Sequence, residues 1–134
     1  MEYIHAEGYA HRDIKLANVL VDRELKVKII DFGFASNKET RHSMYCGTPS
    51  YMAPEIVSRM SYFGQPVDVW AFGVLIFRAL TGDYPFGCIL IIFLNHLGEK
   101  DKDLDSNIKS ATVKVKGYEM PVAFEELLSR IWVV

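Results

Sequence analysis

Residues 11–18 read HRDIKLAN, a stretch in which four charged or titratable side chains and one amide crowd into eight positions. Asp13 could orient or deprotonate a hydroxyl group, and Lys15 could neutralise charge on a group in transfer. Asn18 could offer its amide oxygen to a hard cation, which prefers oxygen ligands. These side chains would suit phosphoryl transfer, although the stretch taken alone could also be a charged surface loop.

A second carboxylate follows a predicted β-hairpin. Residues 19–22 and 26–31 are short, rich in β-branched side chains and separated by a charged turn, so they predict two paired strands. The tripeptide DFG at 31–33 then places Asp31 at the end of the second strand, where it can face Asn18 across a shared metal ion. One amide and one carboxylate suit Mg²⁺, which binds few protein ligands together with phosphate oxygens and water.

Composition limits the class of protein. The chain has 134 residues, 50% of them hydrophobic, and a formal net charge of -2. These values are ordinary for one globular domain, and the charge balance does not predict nucleic acid as a partner. Cys46 and Cys88 stand alone, so neither a zinc site nor a disulfide framework is predicted.

Targeting signals are missing from the sequence. The N-terminal residues lack the basic and then apolar run of a secretory signal. The longest apolar run, 88–94, is too short to span a bilayer. With isolated cysteines that favour a reducing compartment, these features predict an intracellular, cytoplasmic location and no membrane span.

Beyond the hairpin, the sequence predicts a long loop and two helices. Residues 33–54 show little periodicity and contain Gly, Ser, Asn and Pro, which is typical of a long functional loop. Residues 67–81 predict a helix that Asp68 can cap and Gly82 can end. Because its apolar residues leave no polar face, we expect this helix in the middle of the fold. Residues 124–134 resume an amphipathic helical spacing.

Four sequence motifs follow one another along the chain. They are HRDxKxxN at 11–18, DFG at 31–33, CGTPSYMAPE at 46–55 and DVWAFGV at 68–74. Together they resemble the motifs of eukaryotic protein kinases, and the resemblance extends from YIHAEG to PFG and, more loosely, from GYEMP onward. Lys15 and the GTPSYMAPE motif are similar to those of serine/threonine protein kinases.

The resemblance implies a fold and a domain. The expected fold is mostly α with a short β-hairpin region, the C-terminal lobe of the protein kinase-like fold truncated at both ends. Residues 1–134 would form one partial kinase domain with an activation segment at 31–55. The glycine-rich loop, the ATP-binding Lys and its Glu partner of the N-terminal lobe are absent from the sequence. An atypical apolar insertion replaces the usual polar segment at 88–98, and its part 88–94 could dock a protein partner.

The resemblance also assigns roles in catalysis. Asp13 would accept or orient the proton of the substrate hydroxyl, and Lys15 and Thr48 would be its catalytic partners. Thr48 would hydrogen-bond both of them. Asn18 and Asp31 would hold Mg²⁺. The residues that would bind ATP are Lys15, Asn18, Leu20 and Asp31.

Four residues would support this site. Leu20 would form part of the floor under the adenine ring, or it is a plain core leucine. His11 and Phe32 would stack on each other. Asp68 would hold the backbone of the catalytic loop at 11–18 from the predicted helix at 67–81, besides or instead of capping that helix.

Arg12 implies control by phosphorylation. In kinases with this arginine, a phosphate on the activation segment pairs with the guanidinium and orders the segment. The position that carries the phosphorylated Thr in many relatives is Met44 in this chain, which leaves Thr40 and Ser43 as substitutes. Without such a phosphate, Arg12 would have a structural role.

Three functional hypotheses follow. The first is a serine/threonine protein kinase that transfers the γ-phosphate of ATP to protein hydroxyls with Mg²⁺. The second is a catalytically inactive, truncated lobe that acts as a binding or regulatory module, and the third is a non-functional fragment. The set Asp13, Lys15, Asn18 and Asp31 favours the enzyme, because a structural role does not require it. The missing lobe, Met44 and the apolar insertion favour a binding module.

Overall fold

A computed structural model of the chain describes residues 1–86 and 120–132. The predicted apolar insertion at 88–98 and its partner-binding segment at 88–94 lie outside these residues. Two single 3₁₀ turns cover Leu16–Asn18 and Pro49–Tyr51. The described helices and strands are, in chain order, α1 (Glu2–Ala6), β1 (Tyr9–Ala10), β2 (Val19–Val21), β3 (Val27–Ile29), β4 (Ser36–Asn37), β5 (Arg41–His42), α2 (Pro54–Val57), β6 (Tyr62–Phe63), α3 (Gly64–Thr81) and α4 (Val122–Ile131).

Helix α3 begins earlier than predicted. Its first residue is Gly64, and Phe63 at the N-cap makes no side-chain capping bond. Asp68 lies in the second turn, so the prediction that Asp68 caps the helix is wrong, and its carboxylate is used elsewhere. The helix ends as predicted at Gly82, whose φ of 77° allows its N–H to bond the carbonyl of Arg78 at 2.9 Å.

Helix α3 carries much of the apolar core of the described fold. Burying a Val, Leu or Phe side chain stabilises a fold by about 1.5–3 kcal/mol relative to leaving that side chain exposed. The expectation of a helix buried on all sides is wrong, because Val69, Phe72 and Leu80 are exposed. Its buried apolar side chains are Val67, Trp70, Ala71, Val74, Leu75 and Phe77.

Helix α4 packs against α3 at Gly73, which confirms the predicted C-terminal amphipathic helix. A methyl group at Gly73 would lie 2.7 Å from both Ile131 Cγ2 and Trp132 Nε1, so a side chain there would force the two helices apart. The indole of Trp132 fills the space beside this contact, 4.8 Å from the Phe86 ring and 6.1 Å from the Trp70 ring. Glycine therefore allows the close approach.

The strands form three antiparallel pairs. β2 pairs with β3 from Val19 opposite Ile29 to Val21 opposite Val27, which confirms the predicted hairpin with shorter strands. β1 pairs with β4, and β5 pairs with β6. These last two pairings were not predicted, because a strand of two residues has no detectable periodicity. Helices with small antiparallel sheets agree with the expected mix of mostly α structure and a hairpin.

The β2–β3 hairpin exposes apolar side chains. Leu20, Val21 and Val27 are 52%, 58% and 64% exposed. Leu20 is therefore not a core leucine, and that alternative is wrong. Among residues 1–86 and 120–132, no helix is both long and apolar enough to cross a membrane.

Candidate active site

The catalytic loop at 11–18 is held by a buried carboxylate on α3. The Asp68 side chain, 1% exposed, accepts the His11 N–H at Oδ2 and the Arg12 N–H at Oδ1, both at 2.7 Å. Bonds from backbone N–H groups to a buried carboxylate are stronger than neutral ones. They hold Arg12 at a φ of 65°, a left-handed conformation that costs a non-glycine residue energy. The expectation that Asp68 holds the loop backbone is confirmed.

His5 and Gln65 reinforce this anchor and were not predicted. His5 Nε2 lies 2.9 Å from Asp68 Oδ2. Gln65 donates from Nε2 to the carbonyl of His5 at 2.9 Å and to that of Tyr9 at 3.3 Å. Because Gln65 and Asp68 are three residues apart, they share one face of α3. That spacing was the one local signal that could have indicated a polar contact face on this helix.

Three predicted site residues bond Asp13, which is 6% exposed. Thr48 donates from Oγ1 to Asp13 Oδ1 at 2.8 Å. Lys15 donates from Nζ to Asp13 Oδ2 at 2.6 Å and to Thr48 Oγ1 at 3.0 Å. Asn18 donates from Nδ2 to the Asp13 carbonyl at 2.9 Å and to Oδ2 at 3.2 Å. The predicted hydrogen bonds of Thr48 to both Asp13 and Lys15 are confirmed, and the carboxylate is fixed in one orientation.

The orientation of Asn18 leaves its amide oxygen available. Both of its side-chain hydrogen bonds use the Nδ2 group, so within the described residues neither occupies the oxygen. The Ile30 N–H donates to the Asn18 carbonyl at 2.9 Å, which brings the end of the hairpin and Asp31 next to the loop. An amide oxygen and an exposed carboxylate are ligands that Mg²⁺ accepts. Across the described ranges, no group of three or more His, Cys, Asp or Glu side chains could hold a metal by itself.

His11 links the catalytic loop to the DFG turn. Its ring is fully buried, lies 2.9 Å from the Ile30 carbonyl through Nε2 and accepts the Asp13 N–H at Nδ1 at 3.2 Å. The Phe32 ring contacts it edge-on with the centroids 4.8 Å apart. The expected contact of His11 with Phe32 is confirmed, although the rings meet at 63° rather than face to face.

Tyr62 holds the activation segment in place and was not predicted. Its hydroxyl donates to the Met44 carbonyl at 2.8 Å and lies 3.4 Å from Cys46 Sγ. Burial, together with the Cys46 hydrogen bond, raises the pKa of Tyr62 to about 12. The phenol therefore remains a neutral donor across the physiological range, and the segment just before Thr48 is fixed by a bond to β6.

Arg12 lies between the DFG turn and the activation segment. Its Nε donates to the Phe34 carbonyl at 2.6 Å. Its Nη1 is buried and has no hydrogen-bond partner within the part of the chain that the structure describes. Burial, and then the charge of Arg12, lower the pKa of His42. Arg12 thus contributes a positive charge with a spare donor on the inner side of the activation segment.

These contacts bring Asp13, Lys15, Asn18 and Thr48 together at one site. The sequence family described as "Protein kinase domain" matches residues 1–120. The chain belongs to this family.

Two curated relatives are named as serine/threonine kinases. Serine/threonine-protein kinase kin-29 of Caenorhabditis briggsae is 38% identical over 118 residues, which is 86% of this chain and 13% of that protein. Serine/threonine-protein kinase PLK4 of Drosophila melanogaster is 47% identical over 87 residues, 63% of this chain and 11% of that protein. The chain thus spans about an eighth or less of the length of these relatives.

Proposed function

We propose that this protein transfers the γ-phosphate of ATP to Ser or Thr hydroxyls of protein substrates. The observation that carries the proposal is the set of contacts around Asp13, in which one carboxylate is buried, oriented and paired with a lysine. The names of the relatives, which are serine/threonine kinases, support the same acceptor class.

Asp13 is the proposed catalytic base. Thr48 and Lys15 hold its two carboxylate oxygens, so the side chain would meet an acceptor hydroxyl without first reorganising. A base positioned in this way contributes about 10²–10⁴ to the rate. Lys15 would also neutralise charge on the phosphoryl group. Thr48, which belongs to the activation segment, would hold that segment next to Asp13.

Asn18 and Asp31 are the proposed ligands of Mg²⁺. The fit rests on their donor chemistry, an amide oxygen that accepts no hydrogen bond among the described residues and an exposed carboxylate at the end of the hairpin. When bound, Mg²⁺-ATP supplies the phosphoryl group and a positive charge beside its oxygens. Leu20 is proposed to contact the adenine ring, and its exposure on β2 supports this role.

Arg12 is the proposed receptor for a phosphate on the activation segment. The buried Nη1 without a partner in the described residues supports the idea, because a guanidinium binds phosphate with paired donors. Thr40 and Ser43 are both exposed and therefore open to modification.

The test compares phosphate transfer by the full protein that contains this sequence with phosphate transfer by its Asp13→Asn variant. We expect at least about a 10²-fold loss of transfer from ATP to Ser- and Thr-containing proteins, because the base is removed. Asp83→Asn, a change of the same type at an exposed turn, serves as the control and keeps full activity. Circular dichroism checks that both variants remain folded. Substantial transfer by a folded Asp13→Asn variant would contradict the proposal that Asp13 is the catalytic base.

A binding module without catalysis is the second candidate function. The exposed side chains of Val21 and Val27, opposite each other on the β2–β3 hairpin, favour it, because exposed apolar surface is typical of an interaction site. Thermal unfolding with millimolar Mg²⁺-ATP separates the two candidates, since a ligand that binds the folded state raises its melting temperature. An unchanged melting temperature of the full polypeptide with Mg²⁺-ATP would favour the binding module.

A further inference from the structure

Two arginine guanidinium groups lie over aromatic rings at the activation segment. The Arg41 guanidinium is 5.7 Å from the centroid of Phe63, and the Arg59 guanidinium is 5.0 Å from that of Tyr45. Both arginines are exposed, and neither forms an ion pair within the described residues. We call Arg41 and Arg59 the basic strip.

Both arginines are tied to the activation segment at 31–55. β5 pairs with β6 so that Arg41, which belongs to this segment, is opposite Phe63, the residue whose ring it contacts. Arg59 lies in the turn that follows α2, at a φ of 55°, and contacts the ring of Tyr45 in the segment. The basic strip therefore places two positive charges at the activation segment.

The basic strip is arranged to bind an anion. Arg41 also donates from Nε to Ser61 Oγ at 2.9 Å, which fixes its orientation and leaves its two Nη groups at the surface. Stacking on a ring restricts the guanidinium while its edge still faces solvent. A guanidinium held in this way can bind a carboxylate with two parallel hydrogen bonds.

One member of the basic strip, Arg59, is also close to the proposed base. Tyr45, under Arg59, precedes Thr48 by three positions, a span of at most about 11 Å of extended chain. Thr48 bonds Asp13 at 2.8 Å, and the Tyr62 hydroxyl fixes the intervening segment through the Met44 carbonyl. A peptide whose hydroxyl reaches Asp13 would thus pass within a few residues of Arg59.

We propose that the basic strip selects protein substrates that carry Asp or Glu within about four residues of the phosphorylated Ser or Thr. This inference rests on the proposed function and adds a substrate class to it. The formal net charge of the chain is -2, so overall attraction between protein and peptide cannot produce such a preference. It has to come from local positive charge.

The test measures binding of fluorescent Ser-containing peptides to the 134-residue chain by anisotropy. Each peptide carries Glu or Gln at one position on either side of the Ser. We expect at least one position at which Glu binds about two- to fivefold more tightly than Gln, the range of an exposed ion pair. The difference shrinks when salt is raised from about 0.05 M to about 0.3 M, because exposed charges are screened.

Variants locate the effect. Arg59→Gln and Arg41→Gln each reduce the preference for Glu, and the double variant removes it. Lys26→Gln is the matched control, because Lys26 is an exposed cation on the hairpin, paired with Glu24 at 2.6 Å and outside the strip. It loses the same charge and keeps the preference.

Three results overturn the inference: no binding of any peptide, equal binding of Glu and Gln peptides, or a preference that Lys26→Gln weakens as much as Arg59→Gln does. Transfer of labelled phosphate to the same peptides by the full polypeptide is measured in parallel. A preference in binding without any transfer would contradict the proposed function alone. Transfer without a preference would contradict the basic strip alone.

Discussion

The catalytic loop and the β2–β3 hairpin adjoin each other in sequence but differ in how they are held. In the loop, His11, Asp13 and Asn18 are buried and bonded, and the backbone is fixed by Asp68. In the hairpin and the DFG turn, Leu20 and Phe32 are about half exposed. The difference teaches that the part of the site proposed for the acceptor hydroxyl is built by the fold itself. The proposed nucleotide part is instead an open apolar surface.

Breaking the anchor of the loop should have the largest effect. Asp68→Ala leaves the buried N–H groups of His11 and Arg12 without an acceptor, so we expect a loss of about 3–5 kcal/mol in the free energy of unfolding. Urea denaturation measures this loss. Asp83→Asn, at an exposed turn, is the control and should change stability by less than about 0.5 kcal/mol. A loss below about 1 kcal/mol for Asp68→Ala would mean that the loop does not depend on this carboxylate.

Removing the Tyr62 hydroxyl tests the bond that holds the activation segment. Tyr62→Phe leaves the Met44 carbonyl without its donor, and we expect a loss of about 1–3 kcal/mol in the free energy of unfolding. The folded-state pKa of about 12 lies above the ordinary value of 10.0. The contribution of Tyr62 is therefore complete below pH 10.0 and falls as the pH rises through 12.

The pH dependence gives this prediction a second readout. Stability measured between pH 9 and pH 12 should decline more steeply for the wild-type chain than for Tyr62→Phe, because only the former has this phenol to deprotonate. Parallel curves for the two proteins would show that the hydroxyl is not held as the contacts indicate.

Thr48→Val probes the contact between the activation segment and Asp13. The variant keeps the side-chain shape and removes the hydroxyl that bonds Asp13 and Lys15. We expect about 0.5–1.5 kcal/mol lower stability together with reduced phosphate transfer. Thr48→Ser, which restores a hydroxyl, should recover most of the transfer. Full transfer by Thr48→Val would show that Asp13 needs no such partner.

Separation along the chain decides which of these contacts could be predicted from the sequence. Asp13, Lys15 and Asn18 lie within one short motif, so their proximity follows from the chain itself. The contact of His5 with Asp68 joins residues 63 positions apart, and no local pattern indicates it. Thr48 was predicted as a partner of Asp13 only through the family resemblance.

The same distinction between local and distant contacts applies to the secondary structure. The end of α3 was predicted because Gly82 has a local conformational reason to stop a helix. Its start was placed too late, because Asp68 reads as a cap although its carboxylate serves the catalytic loop. The β5–β6 pair, which carries Arg41, depends on contacts between distant segments, and strands of two residues leave no signal of their own in the sequence.

The hairpin should tolerate change. Leu20→Ser removes an exposed apolar side chain that carries little of the core, so we expect a change within about 0.5 kcal/mol in the free energy of unfolding. Thermal or urea unfolding measures it, with Leu75→Ser on the buried side of α3 as the contrast. If Leu20→Ser destabilised the chain as much as Leu75→Ser, the hairpin would be part of the core and the two regions would not differ.

Hydrogen exchange at single amides is the most direct test that the acceptor side is built by the fold. The amides of His11 and Arg12, bonded to Asp68, should exchange only on global unfolding. The hairpin amide of Asp22, bonded to the Lys26 carbonyl at 3.0 Å, should exchange through local opening, at least about 100-fold faster. Equal protection, or faster exchange at His11 and Arg12, would contradict a catalytic loop held ready before any ligand binds.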